Sequence, residues 1–193
     1  METRPEQSPP HPRWRIVGWS AAGLLLLLPL VAMPFTDEVH WKVGDFALAA
    51  TFFLTVGLCY ELTVRKTGNA AYRAGMGLAL VAALLLVWVN GAVGIIGSED
   101  SEANALYFGV LGIGLVGAFL ARFQPRGMAR ALWAAALAQA AVTAGAVLAG
   151  LGAPESGPVE LITLSGFFVV LFAGSAALFE RAATQAPTAD GPQ

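Results

Sequence analysis

Six apolar stretches, each near the roughly 20 residues that a helix needs to cross a hydrocarbon core, alternate with short segments rich in charge, proline or glycine. They cover about residues 15–35, 44–63, 71–97, 105–121, 128–151 and 159–179. None shows the strict alternation of a half-buried strand, and lipid leaves a backbone no partner outside its own hydrogen bonds, so the pattern predicts helices. The expected fold class is therefore all-α: a polytopic membrane protein with six transmembrane helices in one compact bundle over residues 14–181. Pro29, inside "AAGLLLLLPLVAM", is placed to kink the first helix. The tails, 1–13 and 182–193, are proline-rich and polar and read as disordered.

Composition sharpens the solvent. The chain has 193 residues, 56% hydrophobic and 12% charged, about half the charge of an ordinary soluble domain, where roughly 25% is usual. A net charge of −2 without a basic patch gives no reason to expect nucleic acid as a partner. The expected partners are the lipid bilayer and either a second copy or another membrane protein. Cys59 is the only cysteine, which excludes an intramolecular disulfide and any CxxC site.

Charge also sets an orientation. With the N-terminus inside, ten of the eleven Lys and Arg residues fall on the cytoplasmic side and only Lys42 lies outside. Basic residues are retained on that side, so both termini are expected in the cytoplasm. The outer loops are acidic. The first apolar run shares its basic flank and apolar core with secretory signals, but "LPLVAMPF" offers Ala32 with Leu30 two positions before it, a poor cleavage pair. "RKTGNAAYRAGMGLAL" and "RFQPRGMARALWAAAL" align at a spacing of 57 residues. Positive-inside turns of similar length account for that similarity, and a parallel hairpin repeat is the alternative.

Polar residues at membrane depth are the candidates for chemistry. Asn90 lies on the order of 10 Å inside the outer boundary if the third helix runs to Gly97 at about 1.5 Å per residue. Gly91, Gly94 and Gly97 would share one face of that helix and let a neighbouring backbone approach, with Asn90 bonding across the contact. Gln139 sits mid-way along the fifth run, and Thr51 and Thr55 are one turn apart in the second. Asn90, Gln139, Thr51 and Thr55 would form an intramembrane polar seam if the helices brought them together. Glu61 precedes Arg65 by four residues, the order that favours an ion pair at the headgroup level. Glu180, beside Arg181, reads as a similar interfacial anchor. His40 with Asp37, Glu38 and Asp45 supplies metal-type ligands in one loop, although acidic outer loops are ordinarily just solvated. "GVLGIGLVG" in the fourth run reads as small-residue helix packing. Trp14, Trp19, Trp41 and Tyr107 fall near the predicted membrane boundaries and suit interfacial belts. No nucleophile elbow, Walker loop, HExxH or CxxC occurs, and neither His11 nor His40 lies in a span, so no cofactor and no enzyme activity is expected.

The segments "LVWVNGAVGIIGSED", "YFGVL" and "ARFQPRGMARALWAAALAQA" resemble a family of small, uncharacterised bacterial inner-membrane proteins, over roughly the second to fifth helices. The resemblance implies a bacterial inner-membrane location and transfers no functional residue. The expected function is a non-enzymatic accessory, assembly or scaffold component. A small transporter or channel using the polar seam is the alternative.

Overall fold

The computed structural model describes residues 13–35, 41–64, 67–98, 100–154 and 156–185. Among them the regular structure is helical: α1 (Arg13–Ala32), α2 (Val43–Val64), α3 (Ala70–Ala92), α4 (Ala105–Leu120), α5 (Pro125–Leu148) and α6 (Pro158–Thr184), with one 3-10 turn at Glu102–Asn104 before α4. Five of the helices, α2 to α6, are long and apolar enough to cross a membrane, and the apolar part of α1, Gly18–Ala32, is shorter. The protein is thus a helical, membrane-embedded chain. It divides into two compact units, Met1–Cys59 and Tyr60–Gln193, where the sequence alone reads as one six-helix body.

In the first unit, α1 carries Pro29 in its last turn. The start of α2 is closed by Asp45, whose carboxylate accepts the backbone N–H of Lys42 at 2.7 Å while its own N–H donates to Lys42 O at 3.0 Å. The carboxylate thus satisfies the Lys42 amide as the acidic half of a capping box does. Trp41 meets Phe46 edge to face at 5.1 Å. Within this unit the Trp19 ring lies over Gly57, where a Cβ would come within 2.6 Å of it. Pro29 and Ala49 are its only buried residues among those described.

The second unit is a ring of four helices: α3 packs on α6, α6 on α5, and α5 on α4, with a thinner α3–α4 seam closing it. Lipid tails give apolar helices no reason to associate with each other rather than with lipid, so close van der Waals packing must do it. Small residues supply the approach: Gly117 faces Ala131 and Gly114 faces Ala135 between α4 and α5, while Gly75 faces Leu178 and Phe179, and Gly174 faces Leu78, between α3 and α6. The glycine-rich run of α4 therefore packs as its composition suggests. Ser175 adds an interhelical bond, donating to Gly75 O at 2.6 Å.

The starts of these helices follow local chemistry. Asn69 caps α3, its Oδ1 accepting from Tyr72 N at 3.0 Å. Pro125 and Pro158 open α5 and α6, where the missing N–H is harmless. The α4–α5 turn is less ordinary, because Arg122 and Phe123 both take positive φ, 48° and 59°. L-residues enter that region at roughly 1–2 kcal/mol each. Phe123 N donates back to Ala118 O at 3.1 Å, and the Tyr72 hydroxyl donates to Phe123 O at 2.7 Å, which ties this end of α3 to the turn.

One boundary differs from the sequence reading in a way that matters. The third run looks helical to Gly97, yet α3 ends at Ala92, and Gly94 and Gly97 adopt φ of +72° and +74°. They belong to a loop, not to a helix face. Gly91 is the only member of the expected glycine stripe inside α3, and it has open space around it.

Candidate functional site

Two buried polar clusters lie one helical turn apart along the beginning of α4. The first is built on Asn104. Its Oδ1 accepts the backbone N–H groups of Ile95 and Ile96 at 3.0 and 2.9 Å, and its Nδ2 donates to Ser98 O at 2.8 Å. Its own carbonyl accepts from Asn90 Nδ2 at 3.0 Å. The loop from Val93 onward can wrap a side chain this closely only because Gly94 carries none: a Cβ there would meet Ser98 O at 2.5 Å and Asn104 Nδ2 at 2.8 Å. Ile95 and Ile96, nominally loop residues, are 2% and 0% exposed. They bury apolar side chains while Asn104 satisfies their amides, which is what allows irregular backbone to be buried at all.

Asn90 is therefore a fastener between the last turn of α3 and the start of α4, through Asn104 rather than through a glycine contact. Only half of its amide is engaged, since Asn90 Oδ1 is buried without a partner. Nothing singled out Asn104 in the sequence, where "SEDSEAN" reads as solvated loop. The readable signal was the pair of glycines ahead of it combined with an asparagine immediately before an apolar run.

The second cluster lies deeper in the ring. Tyr107, on α4, is fully buried and its hydroxyl lies 2.9 Å from Ser165 Oγ on α6, itself fully buried. Tyr107 is thus a core residue and not part of an interfacial belt. Thr143, on α5, is a further neighbour of the Tyr107 hydroxyl, and it donates to Gln139 O at 2.9 Å. Gln139, one turn from Thr143 on the same face of α5, is 0% exposed and neither Nε2 nor Oε1 has a partner. The cluster joins three helices with neutral groups only, and no charged side chain among the described residues is buried. Such a site can donate and accept hydrogen bonds. It holds no carboxylate, imidazole or thiol to exchange protons near neutrality.

Thr51 and Thr55 are exposed on α2 and donate to the carbonyls of Ala47 and Thr51 at 2.8 and 2.7 Å, each bond within its own helix. Their hydroxyls are already satisfied locally, so they have no need of a seam partner. Of the loop ligands, Asp37, Glu38 and His40 lie outside the described residues, and Asp45 is occupied in capping α2. Arg65 likewise lies outside them, while Glu61 is half-buried near the end of α2. Glu180 accepts the Trp133 indole N–H at 2.9 Å, joining α6 to α5 on an exposed face. Comparison with known proteins finds no match among family models, curated proteins or solved structures.

Proposed function

We propose that the protein is a non-enzymatic accessory, assembly or scaffold component of a bacterial inner membrane, crossing it six times with both termini in the cytoplasm. One observation carries this reading: the distribution of burial. The α3–α6 ring has a continuous core of Leu86, Tyr107, Phe168, Phe172 and Phe179 with a neutral interior. In the first unit only Pro29 and Ala49 are buried among the described residues, although it carries Leu24, Leu25, Leu27, Leu28, Leu30, Leu54 and Leu58. A packed four-helix ring in a chain whose other helices bury little within their own unit suits a subunit that holds another membrane protein. The apolar part of α1, Gly18–Ala32, reaches about 22 Å at about 1.5 Å per residue, so a sixth span there needs local thinning of the bilayer or flanking residues that reach the interface.

The test is native mass spectrometry of the tagged protein extracted from its own membrane in mild detergent. A second membrane protein in fixed stoichiometry is the expected result. Solute movement across liposomes that contain the pure protein alone would overturn the reading. That outcome would favour a small transporter, the second reading, which rests on the unpartnered Gln139 amide in the core of the ring.

A further inference from the structure

We infer that the interior of the α3–α6 ring contains a hydration site anchored on the side-chain amide of Gln139. The inference does not depend on the accessory reading. Gln139 is 0% exposed, and both of its amide atoms lack a protein partner. A primary amide has two donor hydrogens and a carbonyl with two lone pairs, so leaving it dry sacrifices several bonds that lipid cannot replace. Thr143 follows it by one turn on the same face, and Thr143 in turn neighbours the Tyr107 hydroxyl, which pairs with Ser165 at 2.9 Å.

The occupant is defined by those groups. Each hydroxyl offers one donor and two acceptor positions, so the Tyr107–Ser165 bond leaves capacity on both oxygens. Thr143 uses its proton on Gln139 O and keeps its lone pairs. An occupant must therefore accept from Gln139 Nε2 and donate to Gln139 Oε1. Water does both, and buried waters typically make about three such bonds. An ion does not fit, because no buried charge among the described residues would balance it and an unbalanced charge is far costlier to bury than a neutral group. Ala135, Ala136 and Ala146, within two turns of Gln139 on α5, are small and buried.

The experiment uses the full chain in lipid nanodiscs, labelled with 15N-glutamine, and reads magnetisation transfer from water to the side-chain NH2 groups. The Gln139 signals are assigned by their loss in Gln139→Met, a variant of similar volume. The expected result is a water cross-peak to the Gln139 NH2 pair that survives in Tyr107→Phe/Ser165→Ala, which excludes relay through exchanging hydroxyls. Transfer to Gln139 only from carbon-bound protons, or loss of the water peak in the double variant, would overturn the proposal. Thermal unfolding gives an independent readout. A hydrated amide predicts a lower midpoint for Gln139→Met, whereas a dry orphan amide predicts a higher one, because replacing it with an apolar side chain then removes a penalty.

Discussion

Asn104 and Gln139 are both carboxamides, both buried in the same four-helix ring, and opposite in their surroundings. Asn104 uses both ends of its amide on the loop in front of α4, while Gln139 has no protein partner at all. The difference lies in the backbone around them. Near Asn104 the chain has left helical geometry and has free amides and carbonyls to offer. Around Gln139 every backbone group of α5 is already engaged along the helix, so a side-chain amide there can bond only to other side chains or to water. A buried polar residue thus fixes structure where the backbone is irregular. Inside a regular helix it becomes a place for something else to bind.

The first way to break the contrast is to remove the Asn104 amide. Asn104→Leu leaves two buried N–H groups and the Ser98 carbonyl without their partner, and at about 1–3 kcal/mol per unsatisfied group the loss should reach roughly 3–5 kcal/mol. Reversible unfolding in mixed detergent micelles measures it. A loss below about 1 kcal/mol would mean that water replaces the side chain and that the knot is not what closes this end of the ring.

Gly94→Ala tests the loop half of the same knot and should cost about 2–3 kcal/mol, from the positive φ and the collision with Ser98 O. Its control is Gly91→Ala. Gly91 has open space around it in the last turn of α3, so alanine there should be neutral or stabilising by about 0.5–1 kcal/mol. Had Gly91, Gly94 and Gly97 formed one helix-packing face, both variants would be destabilised together. Unfolding midpoints of the two variants, measured side by side, separate these cases.

The contrast also explains what could be read in advance. Helices α2, α4, α5 and α6 are legible because each apolar run is long, ends at a proline, glycine or charge, and has nowhere to place its backbone except in a helix. The end of α3 was misread because Ile95 and Ile96 prolong the apolar run past Ala92, and hydropathy does not register that the glycines beside them take left-handed angles. Gln139 was visible as a polar residue within a span. Its lack of a partner was not, because Tyr107 and Ser165 reach the cluster from helices 32 residues before it and 26 residues after it in sequence. Asn104 stands in an acidic loop, and the glycines ahead of it show their role only once the chain folds over its side chain.

Asn90→Leu is expected to cost less than the Asn104 change, at about 1 kcal/mol, in line with single interhelical bonds in membranes. It removes the donor to Asn104 O but also removes the unpartnered Asn90 Oδ1, and the two effects oppose each other. Equal destabilisation by Asn90→Leu and Asn104→Leu would contradict this and would make the α3–α4 fastener, rather than the loop, the main element of the knot. The comparison is made in one unfolding series.

The smallest effect tests whether the deeper cluster is held by its own side chains. A double-mutant cycle of Tyr107→Phe and Ser165→Ala should return a coupling near 0.6 kcal/mol, the typical worth of such a bond between membrane helices. The two residues come from α4 and α6, and α5 carries Thr143 and Gln139 alongside them. If hydroxyls and amide share a common bonding network, removing Tyr107 changes what Ser165 contributes by more than the single bond, and the coupling should fall when the cycle is repeated in Gln139→Met. An unchanged coupling would leave Tyr107 and Ser165 as an isolated pair. Gln139 would then be separated from the hydroxyls that make its surroundings polar, and the difference between the two carboxamides would be one of chance packing rather than of backbone geometry.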